Sequence, residues 1–180
     1  MTIPNFITVA RLIAVPVLIY LMLAADWHSA ALLFLLAGIS DGVDGFIARH
    51  FNQKSTVGAY LDPIADKLLL VSVFVVLAVM GHLPVWLVVL FVSRDVLIIS
   101  AVMLSSVLDH PIEVRPIFVS KANTACQIAL AVVLLGELAF GIRLDFLRNG
   151  LVFAAAALTV LSAAAYLVTW LRHMAGYVEQ

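Results

Sequence analysis

The chain has 180 residues and a net charge of −1, and 64% of its residues are hydrophobic while 12% are charged. Soluble domains average about 45–50% apolar and about 25% charged residues, so this composition predicts one integral membrane domain over residues 1–180. The absence of a basic excess argues against nucleic acid as a partner. A single cysteine, Cys126, excludes an intrachain disulfide.

Six apolar segments follow one another along the chain, each close to the roughly 20 residues that cross a bilayer. They predict an all-α protein with six transmembrane helices, at residues 6–24, 30–50, 57–80, 83–107, 117–139 and 149–171. We interpret the first apolar run as a membrane span rather than a secretory signal. No basic segment precedes it, and equally apolar segments follow.

Basic residues are unevenly distributed between the two sets of loops and ends. One side has Arg11, Arg49, Lys54, Arg115, Lys121 and Arg172, and the other has Arg143 and Arg148. Cytoplasmic loops carry an excess of Lys and Arg, so we expect both termini and the 50–56 loop in the cytoplasm. A short chain without a recognisable transit peptide favours the bacterial inner membrane over a mitochondrial one.

Four aspartates lie in the second and third predicted helices, where each ionised group costs at least about 2.5–3.5 kcal/mol. They are Asp41, Asp44, Asp62 and Asp66. Spacings of three and four residues place the members of each pair on one helix face. A short loop between antiparallel helices would bring both faces together. Carboxylate oxygens, without nearby histidine or cysteine, suit two Mg²⁺ or Mn²⁺ ions.

Other classes of protein also contain acids at membrane depth. Some of the carboxylates could be structural ion-pair partners of Lys67 and Arg49, although four regularly spaced acids argue against that interpretation for all of them. A cation or proton transporter is a further alternative. A transporter often repeats such features in two related halves, whereas here the acids cluster in one hairpin.

Residues 41–66 follow the pattern Asp-x2-Asp-Gly-x2-Ala-Arg-x8-Gly-x3-Asp-x3-Asp at every fixed position and every gap. This pattern resembles the signature of the CDP-alcohol phosphotransferase family. The resemblance covers the whole chain and implies that family's fold, with six membrane helices in a homodimer. It also implies the family's reaction, in which a phosphatidyl group passes from CDP-diacylglycerol to an alcohol and CMP is released.

The same resemblance implies roles for the residues of the pattern. Asp41, Asp44 and Asp62 would hold the metals, while Asp66 would contribute a ligand and act as the general base. The CDP pocket would be lined by Gly45, Ala48, Arg49 and Gly58. Glycine suits such a pocket because a Cβ atom would block the nucleotide.

The acceptor alcohol is indicated by polar residues in the fourth and fifth spans. The segments Ser93-Arg94-Asp95 and Ser120-Lys121-Ala122-Asn123-Thr124 resemble the CMP-forming cardiolipin synthase branch of the family, which implies phosphatidylglycerol as the acceptor. Asn123 stands where the phosphatidylglycerophosphate synthase branch more often has lysine. Glycerol 3-phosphate, the acceptor of that branch, is the alternative.

Four residues are candidate acceptor ligands: Arg11, Arg94, Lys121 and Asn123. Fixed cations at the first three positions could surround an anionic phosphate. Structural roles are the alternative, since Arg94 could pair with Asp95 or Asp109. Lys121 could equally be an interfacial lysine whose stem lies along apolar surface.

Overall fold

A computed structural model describes the backbone of residues 3–50, 56–107 and 118–178, and the side chains of residues 8–41, 64–101, 103–105 and 118–172. Its helices are α1 (Ile3–Leu23), α2 (Trp27–His50), α3 (Thr56–Val79), α4 (Val85–Val107), α5 (Phe118–Phe140) and α6 (Asp145–Val178). The all-α prediction is confirmed, and each helix coincides with one predicted segment. Helix α6 extends well beyond its predicted end, because hydropathy detects the part of a helix that crosses hydrocarbon and not its polar ends.

Three helices are long and apolar enough to cross a membrane within the searched part of the chain. They are Val85–Ser105, Phe118–Phe140 and Asp145–Arg172. Shorter apolar helices occur at Thr8–Leu23 and Trp27–Asp41. The structure therefore supports a membrane protein, while six crossings and a homodimer remain predictions.

The chain forms two compact units, and each has its own packing. The first comprises Met1–Leu83 and Ala131–Leu144, and the second comprises Pro84–Leu130 and Asp145–Gln180. In the first unit α1 packs against both α2 and α3, and in the second α4 packs against α6. The single catalytic domain expected from the sequence stays a prediction.

Large apolar side chains are exposed on the described helices, while two arginines are buried. Ile13 is 62% exposed and Phe153 is 71% exposed, whereas Arg11 is 2% exposed and Arg94 is 6% exposed. Water would penalise this arrangement, because arginine is almost never fully buried in soluble proteins unless it is paired. Lipid favours it, since polar groups must then satisfy one another inside the bundle.

The connections after α1 and α3 end their helices in the same way. Ala25 and Gly81 have positive φ angles of 57° and 80°. The next residue in each case donates its backbone N–H five residues back, from Asp26 to Leu21 O at 2.9 Å and from His82 to Leu77 O at 2.8 Å. These are Schellman caps, in which glycine is the usual residue at the left-handed position.

Asp26 then begins the next helix. Its Oδ1 accepts a hydrogen bond from the backbone N–H of Ser29 at 3.2 Å, which is an N-cap contact at the start of α2. Hydrogen bonds from the hydroxyl and the backbone N–H of Ser29 lower the pKa of Asp26, because they favour the ionised carboxylate. The turn between α1 and α2 is thus defined by its own hydrogen bonds.

The two caps predict opposite effects of exchanging glycine and alanine. Ala25→Gly should stabilise the protein by about 0.5–1 kcal/mol, because it removes the cost of a left-handed alanine but adds chain entropy to the unfolded state. Gly81→Ala should destabilise it by about 1 kcal/mol or more, and a Cβ at Gly81 meets no atom within 4 Å, so backbone strain alone is responsible. Thermal unfolding in detergent measures both. A loss of stability in Ala25→Gly would contradict the cap assignment.

Candidate active site

The side chains of Arg11, Asp41 and Asp66 meet in the first unit, and each comes from a different helix. Arg11 Nη1 lies 2.9 Å from Asp41 Oδ1 and 2.6 Å from Asp66 Oδ1. The Arg11 side chain is 1% exposed, whereas those of Asp41 and Asp66 are 43% and 41% exposed. The guanidinium is therefore buried behind two carboxylates that both reach the surface. We call these three residues the arginine–aspartate cluster.

The packing of α1 between two neighbours accounts for this cluster. The buried residues of α1 recur at helical spacing along one face: Thr8, Arg11, Val15, Leu18 and Met22. That face packs against α2 and α3. A guanidinium in such a position needs carboxylates within hydrogen-bonding distance, since an unpaired buried charge is strongly destabilising. Asp41 and Asp66 provide them from the two neighbouring helices.

Two of the four predicted metal ligands, Asp41 and Asp66, are thus close together. Their Oδ1 atoms contact the same nitrogen atom of Arg11. Asp44 and Asp62 lie on the backbones of α2 and α3, but they fall outside the residues whose side chains the structure describes. The same holds for all four predicted CDP-pocket residues, Gly45, Ala48, Arg49 and Gly58.

The donor chemistry of the cluster fits a hard divalent cation. Asp41 and Asp66 offer carboxylate oxygens at a half-exposed position, which is the ligand type that Mg²⁺ prefers. Among the described side chains, no group of three His, Cys, Asp or Glu residues lies close enough to hold a metal ion. A complete ligand set would therefore require Asp44, Asp62 or both, and the metal site remains a prediction.

Arg11 has contacts that the sequence did not predict. It is a candidate ligand of the acceptor, and the structure places it beside Asp41 and Asp66; the acceptor role stays a prediction. The sequence did contain a signal for these contacts: Arg11 lies in an apolar helix, where a charged residue needs a partner of opposite charge. The sequence contained several acids at membrane depth, but not the information that α1 packs between the helices that carry them.

A second buried polar cluster lies in the second unit around Arg94. Its Nη1 donates to Asp95 Oδ1 at 2.6 Å, and its Nη2 donates to Ser162 Oγ at 2.8 Å and to Ser120 Oγ. The Cζ atom lies 5.7 Å from the ring centre of Tyr166, within cation–π range. The pairing with Asp95 considered from the sequence is therefore present. A role for Arg94 in acceptor binding stays a prediction.

The predicted acceptor ligand Asn123 lies one helical turn beyond Ser120. It is 1% exposed, and its Oδ1 lies 2.9 Å from Thr159 Oγ1. Lys121 is exposed on the same helix, and the buried contacts around Arg94 do not include it. The structure therefore brings Arg94 and Asn123 into one α4–α5–α6 polar cluster and leaves Lys121 at the surface.

Sequence reasoning missed the part of this cluster that α6 contributes. The residues are Thr159, Ser162 and Tyr166. They recur every three or four positions in an apolar helix and so share one face. That periodicity was visible in the sequence, but polar residues of this kind also occur singly along membrane helices. Contacts with residues of α4 and α5 show that these three belong to a polar cluster rather than being isolated polar residues.

The family model for CDP-alcohol phosphatidyltransferase matches residues 1–172. A cardiolipin synthase (CMP-forming) / mitochondrial hydrolase fusion protein of Schizosaccharomyces pombe is 34% identical over 93% of this chain and 31% of its own length. The cardiolipin synthase (CMP-forming) of Rattus norvegicus is 39% identical over 72% of this chain and 48% of its own.

A relative with a different acceptor in its name is nearly as similar. The CDP-diacylglycerol--glycerol-3-phosphate 3-phosphatidyltransferase of Blochmanniella floridana is 33% identical over 76% of this chain and 74% of its own length. The chain spans only about a third to a half of the first two relatives. Identity alone therefore does not decide between the two acceptors.

The arginine–aspartate cluster predicts a strong dependence on Arg11. Arg11→Met removes the charge but keeps an apolar stem, and it should destabilise the protein by about 3 kcal/mol by leaving two neighbouring carboxylates without their counter-charge. The double variant with Asp66→Asn should recover part of this loss, with a coupling energy of about 1–3 kcal/mol. Equilibrium unfolding in detergent gives both values.

The exposed pair of Arg148 and Asp145, 2.6 Å apart, provides the matched control. Arg148→Met should cost less than about 1 kcal/mol, because exposed ion pairs contribute little. Equal losses in the two methionine variants would show that the burial of Arg11 has no energetic consequence.

Proposed function

Because the chain belongs to the CDP-alcohol phosphatidyltransferase family, as its match over residues 1–172 shows, we propose that it transfers a phosphatidyl group from CDP-diacylglycerol to an alcohol and releases CMP. One observation about individual residues supports the proposal. Asp41 and Asp66, the first and last aspartates of the family pattern, approach the same nitrogen atom of Arg11 from two helices. Convergent, half-exposed carboxylates are what a phosphoryl-transfer site needs.

The four aspartates have two functions in this proposal. Asp41, Asp44, Asp62 and Asp66 would hold Mg²⁺ or Mn²⁺, whose charge would stabilise the diphosphate and the departing CMP. Asp66 accepts the proton of the attacking hydroxyl, while the hydroxyl oxygen forms a bond to the lipid-side phosphorus. The bond from that phosphorus to the CMP oxygen breaks. Arg11 supports this step by holding Asp66 in place from the buried side.

The nucleotide would lie against the remaining residues of the pattern. Gly45, Ala48 and Gly58 offer small or absent side chains, and Arg49 offers a charge for the diphosphate.

We propose phosphatidylglycerol as the acceptor and cardiolipin as the product. The α4–α5–α6 polar cluster supports this choice, since it combines one arginine with a neutral amide, Asn123, and leaves Lys121 exposed. The names of the fission yeast and rat relatives agree with this acceptor. Glycerol 3-phosphate is the second candidate, favoured by the name of the Blochmanniella relative.

The proposed setting is the bacterial inner membrane, with the site near the cytoplasmic face and the chain in a homodimer. The three helices able to cross a bilayer support the membrane part of this proposal. The asymmetry of basic residues between the loops supports the orientation.

The first prediction of the proposal concerns the reaction itself. Purified protein in liposomes with CDP-diacylglycerol and Mg²⁺ should release CMP and form cardiolipin when phosphatidylglycerol is added, and Asp66→Asn should lose at least about 100-fold in rate because the general base is gone. Asp145→Asn makes the same change at an exposed aspartate outside the family pattern, and it should keep the rate of the unmodified protein. CMP release measured by chromatography reports the rate.

The acceptor that supports CMP release distinguishes between the two candidate reactions. Turnover with glycerol 3-phosphate alone would keep the reaction class and reject phosphatidylglycerol. Folded protein that releases no CMP with any alcohol would contradict the proposed activity.

A second prediction concerns the metal. EDTA should abolish CMP release, and added Mg²⁺ or Mn²⁺ should restore it, because carboxylate ligands bind hard cations. Binding of Mn²⁺, followed by electron paramagnetic resonance, should weaken in Asp41→Asn and remain unchanged in Asp145→Asn. Full activity in EDTA would remove the metal from the proposal.

A further inference from the structure

The two exposed carboxylates of the arginine–aspartate cluster share one buried cation. Arg11 Nη1 lies 2.9 Å from Asp41 Oδ1 and 2.6 Å from Asp66 Oδ1, so a single nitrogen atom contacts both. One arginine against two aspartates leaves the cluster with a net charge of −1. The carboxylates that are proposed to bind a divalent cation therefore already have a positive charge beside them.

The cation and the carboxylates differ in their access to solvent. The side chain of Arg11 is 1% exposed, whereas those of Asp41 and Asp66 are 43% and 41% exposed. An ionised carboxylate has two oxygens and about four lone-pair sites, so it can bind a guanidinium on its buried side and another cation on its exposed side. A metal ion can thus reach both aspartates while Arg11 stays in place behind them.

The charge of Arg11 opposes a metal ion at these carboxylates. The two contacts, the width of a carboxylate and a metal–oxygen bond of about 2.1 Å together keep such an ion within about 7 Å of Arg11 Nη1. Charges of +1 and +2 at about 7 Å repel each other enough to weaken binding by about sevenfold in bulk water, and by more at a lower dielectric constant. Because Arg11 is buried, the weakening should exceed the value for water.

Arg11 also favours a metal ion, because it holds the two carboxylates near each other. This second effect is smaller than the first. A helical residue has two common χ1 rotamers, so fixing two aspartates increases the affinity by about fourfold. In addition, the two carboxylates would repel each other without Arg11, and a metal ion would relieve that repulsion. Removal of the guanidinium should therefore strengthen the binding of a metal ion.

We propose that Arg11 acts from behind Asp41 and Asp66 as a positioning residue that weakens the binding of the metal alone and strengthens the binding of the diphosphate once the metal is present. This inference rests on the proposed transferase function and deepens it. A divalent ion changes the net charge of the cluster from −1 to +1, and the loaded cluster then attracts the anionic diphosphate of a CDP-linked lipid. In Arg11→Met the same ion would leave the cluster without a net charge.

The consequence is a preference for the metal together with its nucleotide. The charge of the metal ion and the opposite charge of the diphosphate partly cancel at the position of Arg11. Arg11 therefore opposes the pair less than it opposes the metal alone. The site would hold its metal firmly when the CDP-linked lipid is bound and loosely when it is not.

Two binding constants, measured in detergent, test the inference without catalysis. Binding of Mn²⁺ to the protein alone, followed by electron paramagnetic resonance, should be at least about fivefold tighter in Arg11→Met than in the unmodified protein. Binding of labelled CDP at saturating Mn²⁺, measured by equilibrium dialysis, should be at least about threefold weaker. CDP carries the diphosphate but no phosphatidyl group to transfer. A purely structural role for Arg11 would weaken both.

Three further variants separate the charge of Arg11 from its part in folding. Arg11→Gln keeps N–H donors without the charge, and it should shift both constants in the same directions even if Arg11→Met does not fold. Arg11→Lys keeps the charge and should return both constants towards those of the unmodified protein. Arg148→Met, at the exposed pair with Asp145, should leave both unchanged. Thermal unfolding gives an independent measurement, since Mn²⁺ should stabilise Arg11→Gln more than the unmodified protein.

The outcomes distinguish the inference from the proposed function. Weaker or unchanged Mn²⁺ binding in folded Arg11→Gln would overturn the inference alone, and so would CDP binding that does not weaken. The transferase proposal would survive either result, because CMP release by the unmodified protein tests it separately. Unmodified protein that is folded but binds neither Mn²⁺ nor CDP would overturn the proposed function and the inference with it.

Discussion

A buried guanidinium between two carboxylates is the interaction on which the first unit depends. Arg11 must be paired because its side chain is almost completely enclosed, and its partners come from two other helices. The pairing therefore sets how α1 is rotated about its axis and which turns of α2 and α3 lie next to it. The same contact brings Asp41 and Asp66 together. The contacts that neutralise the buried charge of Arg11 are therefore the same contacts that bring two carboxylates of the proposed site together.

The second unit satisfies its buried arginine in a different way. Arg94 has one adjacent carboxylate, and hydroxyl groups and an aromatic ring complete its surroundings. Neutral donors and acceptors are less costly to bury than charges, so this unit can place polar groups deep between apolar helices. In such surroundings an unpaired atom is informative, because no solvent compensates for it. The buried Nδ2 atom of Asn123, which has no hydrogen-bond partner among the described residues, is such an atom.

The two polar clusters suit the two halves of the proposed reaction. Carboxylates in the arginine–aspartate cluster match the demand for metal ligands and a proton acceptor. In the proposed reaction the α4–α5–α6 polar cluster would bind the acceptor head group, since hydroxyls and an amide form directional hydrogen bonds. Each unit exposes large apolar side chains, such as Ile13 in the first and Phe153 in the second, while its arginine is buried among polar partners.

The sequence alone determined the number and approximate limits of the helices, the family, and the four aspartates as the candidate catalytic group. Hydropathy and residue spacing are local properties, and they can be read without knowing which helices pack together. Only the tertiary structure decided that Arg11 faces Asp41 and Asp66, and that Thr159 and Ser162 complete the surroundings of Asn123 and Arg94. Helical periodicity defines which residues share a face, but the neighbour of that face depends on packing between distant segments.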